Sequence, residues 1–261
     1  MYKTSEINSF RICYTRYIKK GENEMTELIT LPLLFEMGEM KFYIHPVVIK
    51  NNDDLILIDT GYPMFLPVIE KAFEKKGLNI RNLQQVILTH HDHDHMGAVK
   101  ELVKKYPSVK VKCSAEQIPY VLGKKKSLRL EQAEKLGADA GFIQMIKSLE
   151  HLDSALAVTD NEIICNGVKV IETSGHMPGH ISIYIEAMKT LISGDMLVSE
   201  GGVLGIADEQ FVLDKEAEIN SLKKIVNLDI QKIICFHGGE YKSNNLKEDL
   251  KKIIAKGYNK Q

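Results

Sequence analysis

The sequence lacks the features that would send a chain to a membrane, a nucleic acid or an oxidising compartment. No apolar run approaches the roughly 20 residues a membrane span needs, and the opening MYKTSEINSFRICY holds no apolar segment of signal-peptide length. Net charge is almost absent: 34 Lys and Arg stand against 35 Asp and Glu, giving −1 and a pI near 6.8. No long-range field then recruits nucleic acid or an anionic surface, and the lysines at 124–126 are only a local patch. Cysteine is scarce: Cys13, Cys113, Cys165 and Cys235 lie far apart with no C-x-x-C spacing. Three of them end or interrupt apolar runs, so all four read as reduced residues without a disulfide or ligand role. These absences predict a cytoplasmic protein with a small-molecule partner, no membrane and no nucleic acid.

What is present is concentrated at Leu88–Gly97, LTHHDHDHMG. His90, His91, His93 and His95 alternate with Asp92 and Asp94 directly after the apolar run Val86–Leu88, so a strand delivers the chain into a loop of metal-ligand types. A solvated histidine tract would sit in a low-complexity neighbourhood or a tag, whereas this one is internal and flanked by periodic sequence. At 261 residues, 44% hydrophobic and 26% charged, the chain predicts one domain over 1–261.

Three strand-like runs, LITLPLLFEM, MKFYIHPVVIK and DLILIDT, predict an antiparallel meander that ends at Asp59. A crossover helix is expected over 65–76 and a strand over 84–89, with the histidine loop as its exit. Further on, Asn166-Gly167 predicts a two-residue hairpin turn, and the strand at 190–193 ends in Gly194-Asp195. A helix over 214–226 follows, then the strand KIICF, which ends in His237. The halves rhyme: strand to Asp, helix, strand to His, twice over. Such an order fits two βα halves packed sheet to sheet, their polar strand ends on one edge. Between them, 123–151 is helix-forming and predicts a lid over a pocket. Alternatively its apolar residues, among them Leu128, Leu136, Phe142, Met145 and Leu149, simply pack on the core.

The segments LIDTG at 57–61, THHDHDHMG at 89–97, TSGHMPGHIS at 173–182, SGD at 193–195 and FHGG at 236–239 resemble, in order, the motifs of the metallo-β-lactamase-fold hydrolases. The resemblance covers about residues 28–240 and implies an α/β fold, a four-layer αββα sandwich with a dinuclear metal site at one edge. It implies His90, Asp92 and His176 on one metal, Asp94, His95 and His237 on the other, and Asp195 bridging. Asp59 would hold the ligating histidines in place, and Asp94 would also handle protons in catalysis. It further implies a metal-bridging hydroxide acting on an ester, lactone or thioester. The alternatives are di-iron redox chemistry with O₂ or NO, a phosphodiesterase or nuclease, and a non-catalytic metal sensor.

One departure matters. The family pattern is H-x-H-x-D-H, and here its second histidine is Asp92; a rotated His93 is the competing ligand. The resemblance implies two divalent ions, with Zn²⁺ as the expected metal; a third carboxylate brings two such ions and a hydroxide to zero net charge and opens the site to Mn²⁺ or Fe²⁺. His180, Tyr62 and Met64 are expected to line the substrate pocket, with Glu200–Gly202 beside them. His91 and His93 are expected to face outward or tune the site, and His45 and His151 to be bystanders.

Overall fold

The computed structural model describes residues 14–18 and 25–257. Its first half runs through β1 (Tyr14–Ile18), β2 (Met25–Thr30), β3 (Leu33–Met37), β4 (Met40–Ile44), β5 (Val47–Asn51) and β6 (Asp54–Ile58) into helix α1 (Leu66–Lys75). Strand β7 (Leu83–Ile87), α2 (His93–Met96), α3 (Val99–Lys105) and β8 (Lys110–Ser114) follow. The half closes with α4 (Ile118–Val121), α5 (Leu128–Leu136), α6 (Ala140–Lys147) and β9 (Leu156–Val158). The second half holds β10 (Ile163–Cys165), β11 (Val168–Glu172), β12 (Ile181–Ile185), β13 (Thr190–Gly194), β14 (Val198–Glu200), β15 (Val203–Gly205) and α7 (Lys215–Ile225). It ends with β16 (Lys232–Cys235), β17 (Gly239–Lys242) and α8 (Leu246–Lys256).

Alternation along buried strands builds the layers. In β6, Leu55 and Leu57 point into the core under α1, while Ile56 and Ile58 point at the second sheet. The seven-stranded sheet, in order β1-β2-β5-β6-β7-β8-β9, thus packs face to face on the six-stranded sheet β10-β11-β12-β13-β16-β17. Between them Ile49, Ile58 and Ile87 meet Val170, Ile183 and Ile234. Ile69 and Phe73 of α1 and Leu102 of α3 cover the outside of the first sheet. Leu222 of α7 and Leu250 of α8 cover the outside of the second. The result is the four-layer αββα sandwich.

The expected meander is corrected in one respect. Pro32 and Pro46 each break a run, because proline has no N–H to give a ladder. Only β2, β5 and β6 pair as the meander; β3 and β4 leave as a separate hairpin. That hairpin exposes Met37, Met40 and Tyr43 instead of burying them. Of the expected segment 10–18, Tyr14–Ile18 is β1; the remainder, and Cys13, lie outside the described residues. Cys113 and Cys235 are free and buried.

Strand direction collects the polar ends. β6 and β7 run parallel, as do β13 and β16, so Asp59, His90, Asp195 and His237 leave from the same edge. β12 is antiparallel to β13, which brings the 173–180 loop to that edge as well. The sheets are stitched there by Ile181 N–H donating to Thr89 O at 3.0 Å. Close approach explains Gly97: a Cβ would lie 2.3 Å from Pro63 N and Tyr62 C. Gly97→Ala is therefore expected to cost about 3 kcal/mol through overpacking against backbone, read as a lowered urea midpoint with an unchanged slope.

Candidate metal centre

Two clusters of ligand-type side chains form the floor of this edge. His90, Asp92 and His176 offer atoms within 4.8 Å of one another, and Asp94, His95, Asp195 and His237 do the same. Asp195 sits between the clusters: its Oδ1 is 3.2 Å from His95 Nε2, and its Oδ2 is 3.4 Å from His237 Nε2 and 3.7 Å from His176 Nε2. Asp92 Oδ2 lies 3.5 Å from His90 Nε2 and 3.4 Å from His176 Nε2. His93 joins neither group. Its ring packs edge-on against Tyr62 and Phe142, and its Nδ1 is 3.8 Å from Asp94 Oδ1.

The histidines are held with one nitrogen each turned inward. Asp59 accepts from Thr89 N–H at 2.8 Å through Oδ1, and from the Thr89 hydroxyl and His95 Nδ1–H at 2.8 and 2.9 Å through Oδ2. With the Thr89 hydroxyl hydrogen committed to Asp59, its oxygen takes His90 Nδ1–H at 3.0 Å. Both rings are thereby fixed as Nδ1–H tautomers with the Nε2 lone pair free. Those two Nε2 atoms, with Asp92 Oδ1 and Asp195 Oδ1, are buried and make no hydrogen bond. Buried acceptors without donors are costly unless a cation takes them, so the donor set suits divalent metal.

Charge points the same way. Burial works against protonating His237, yet the Asp195 and Asp94 carboxylates push it up to about 10. Burial likewise raises the Asp92 carboxyl, but the Arg129 guanidinium, helped by His176 and His90, holds it well below the usual carboxylate range. Three carboxylates on one buried floor demand positive charge.

Residues 41–237 match the metallo-beta-lactamase superfamily. The chain belongs to that superfamily. Among its relatives, it is 25% identical over 203 residues to the "Probable metallo-hydrolase YybB" of Bacillus subtilis (strain 168), covering 77% of this chain and 83% of that protein. It is 31% identical over 205 residues to a hydroxyacylglutathione hydrolase of Aliivibrio fischeri (strain MJ11), covering 76% of this chain and 62% of that one. Among solved structures, the metallo-beta-lactamase family protein TTHA1429 from Thermus thermophilus superposes with a TM-score of 0.68 at 18% identity, over 87% of this chain and 78% of that chain. TTHA1623 in a di-iron-bound form gives 0.59 at 21%, over 87% and 97%.

Around this superfamily floor the remaining histidines sort differently from expectation. His180 does not line the cleft: it is fully buried, its Nε2 accepts from Asp195 N–H at 3.1 Å and its Nδ1 meets the Thr173 hydroxyl at 2.9 Å, so it braces the Asp195 backbone. Nor does Met64, which is 77% exposed, whereas Tyr62 and Glu200 do line it. His91 and His93 do not face outward; both are buried. His91 stacks on Tyr120, and its Nδ1 lies 2.6 Å from Gln117 Oε1. His45 stands in the cleft wall with Nδ1 on Phe236 O.

Two residues escaped the reading of the sequence. Glu218, on α7, is fully buried and accepts His176 N–H at 2.7 Å through Oε2. Arg129, on α5 and 3% exposed, donates to Asp92 Oδ2 from Nε at 3.0 Å and Nη2 at 2.8 Å. A glutamate on an amphipathic helix carries no sequence signal. Arg129 carries a faint one, as one of only four arginines among 34 basic residues.

Asp59 has φ +61°, which asparagine tolerates. An amide nitrogen cannot accept from His95 Nδ1–H, so Asp59→Asn should keep the fold and lower metal affinity by about 10–100-fold, measured by competition with a chromophoric chelator. Burial, reinforced by the Asp195 charge, pushes Glu218 up from 4.5 to about 8. A raised folded-state value means stability is present in full below pH 4.5 and declines as pH rises through about 8. In chelated protein Glu218→Gln should remove that slope and melt several degrees above wild type at pH 9, read by calorimetry.

Proposed function

We propose that the protein hydrolyses an ester, lactone or thioester of a small, uncharged substrate, using two divalent metal ions held by His90, Asp92, His176, Asp94, His95, His237 and Asp195. The observation that carries this reading is the placement of both donor clusters at the floor of one cleft of about 920 Å³. A cavity of that size suits a small organic molecule. Metals bound there would supply Lewis acidity for a carbonyl oxygen and an activated water.

The protein's own groups define the rest. Phe35 and Tyr62 pack with ring centroids 4.1 Å apart, and with Phe42, Phe142, Met145 and Phe211 they give the cleft an apolar wall for an acyl or ring substituent. Asp94 lines the cleft with Oδ2 3.2 Å from His237 Nε2, placed to pass a proton to a leaving group. Asp139, Glu200 and Asp208 stand around the opening, and among the described residues no lysine lines the cleft. The one guanidinium there, Arg129, is already engaged by Asp92. This charge pattern favours neutral substrates over carriers of net negative charge such as glutathione, so the hydroxyacylglutathione hydrolases guide the bond class and not the carrier.

The protein loaded with Mn²⁺ or Zn²⁺ should cleave neutral aryl or alkyl esters, lactones or short thioesters with kcat/KM at least about tenfold above a hydroxyacylglutathione of the same acyl group, since like charges across a low-dielectric cleft repel. Chelation should abolish the activity and lower Tm together. A preference for the glutathione thioester would contradict the substrate class. Failure to cleave any carbonyl substrate with two metals bound would contradict the reaction.

A further inference from the structure

Arg129 has more bonding than a helix anchor needs. Besides Asp92, its Nη2 is 2.9 Å from Phe211 O and 3.1 Å from His176 Nε2, and its Nη1 donates to Gln132 Oε1 at 2.5 Å. A guanidinium has donors only. Nη2 has two hydrogens for three acceptors, Asp92 Oδ2, Phe211 O and His176 Nε2, so with the imidazole proton on Nδ1 the His176 contact is a shared one, and in the other tautomer Nε2–H donates to Asp92 Oδ2 at 3.4 Å. Nε2 is also the atom that brings His176 within reach of Asp92 and Asp195. In either tautomer Nε2 is engaged, by Arg129 or by Asp92, and the guanidinium 3.1 Å away sets a fixed positive charge where a metal on His176 would bring its own. Asp92 is not limited in this way, since Oδ1 is buried and makes no hydrogen bond.

The residue that departs from the family pattern explains why an arginine is there. With histidine at position 92 a guanidinium would have no charge to neutralise in this cluster; with aspartate it finds a buried carboxylate. The arginine brings its helix with it. Ser127 caps α5 through Leu130 N–H, Leu128 N–H donates to His91 Nε2 at 3.3 Å, and Gln132 Nε2 donates to Gln210 O at 2.8 Å. α5 packs on α6, whose Phe142 and Met145 form part of the cleft wall.

Resting on the dinuclear reading above, we infer that Arg129 is a built-in cation that competes with metal for the His90–Asp92–His176 position. Filling of that position and seating of the α5–α6 wall are then alternatives. The other cluster, Asp94, His95, Asp195 and His237, has no arginine contact among the described residues and fills first. Metal at the His90–Asp92–His176 position would oblige Arg129 to withdraw from His176, loosening α5 at the mouth of the substrate cleft. By linkage, anything that holds α5 down weakens the second metal by the same factor that the second metal loosens α5.

The test is titration of chelated wild type, Arg129→Gln and Arg129→Lys with Mn²⁺ alone, by calorimetry and elemental analysis, with amide hydrogen exchange over 128–147 at zero, one and two equivalents. Wild type should bind one Mn²⁺ and then a second at least about tenfold more weakly, with exchange over 128–147 rising only at the second equivalent. Arg129→Gln should tighten the second binding by about tenfold or more, Arg129→Lys by less. A folded Arg129→Gln that loses the second Mn²⁺ would overturn the inference, since Arg129 would then support Asp92 as a ligand. If Arg129→Gln does not fold, the wild-type exchange decides: slowing or no change at the second equivalent overturns it equally. Absence of any bound Mn²⁺ in wild type is a different result, and defeats the metal reading on which this rests.

Discussion

Three carboxylates, Asp92, Asp94 and Asp195, share one buried floor with four imidazoles, and the surrounding structure answers the charge that creates. Asp59 and Thr89 turn the His90 and His95 rings so that their lone pairs face the acids. Asp195 is braced through its own backbone by His180, and the His176 backbone by Glu218. Burial makes each arrangement expensive to leave half-finished, which is why Asp59, Thr89, His180 and Glu218 are themselves buried and hydrogen-bonded to the groups they hold. The two sheets contribute about equally, so the floor exists only when they are packed together.

Much of this was legible because strand ends and ligand types coincide in the chain. Val86–Leu88 leading into THHDHDHMG, and KIICF leading into His237, state both the strand and what it delivers. The paired order of Asp and His at strand ends anticipated the parallel pairs β6–β7 and β13–β16. What was not legible depends on distant packing. Pro32 and Pro46 were visible, but reading through them hid the β3–β4 hairpin that walls the cleft. His180 looked like a pocket residue because it follows a Pro-Gly turn near His176, yet it turns inward to the Asp195 backbone. Leu136 belonged to the apolar set expected over the pocket and is 69% exposed, while Phe142 faces the cleft and Leu149 the core, placements that only distant packing decides.

The superfamily fold says little about substrate, and the chemistry resides in what is grafted at the edge. Here that is an apolar wall drawn from a hairpin on one side and from α6 on the other, an acidic opening, and a third carboxylate on the floor with its own arginine. Asp92 and Arg129 belong together. Each alone would leave a buried charge without a partner, and together they give the site a cation that is covalently part of the chain.

The central claim, that these seven side chains form a two-metal floor, is tested most directly by anomalous diffraction at the manganese edge from crystals grown with excess Mn²⁺. The account predicts one peak among Asp94, His95, Asp195 and His237 and a second among His90, Asp92 and His176. Where the second peak is strong, Arg129 should no longer contact His176 Nε2. Peaks elsewhere, or a fully occupied His90–Asp92–His176 position with the Arg129–His176 contact intact, would contradict it.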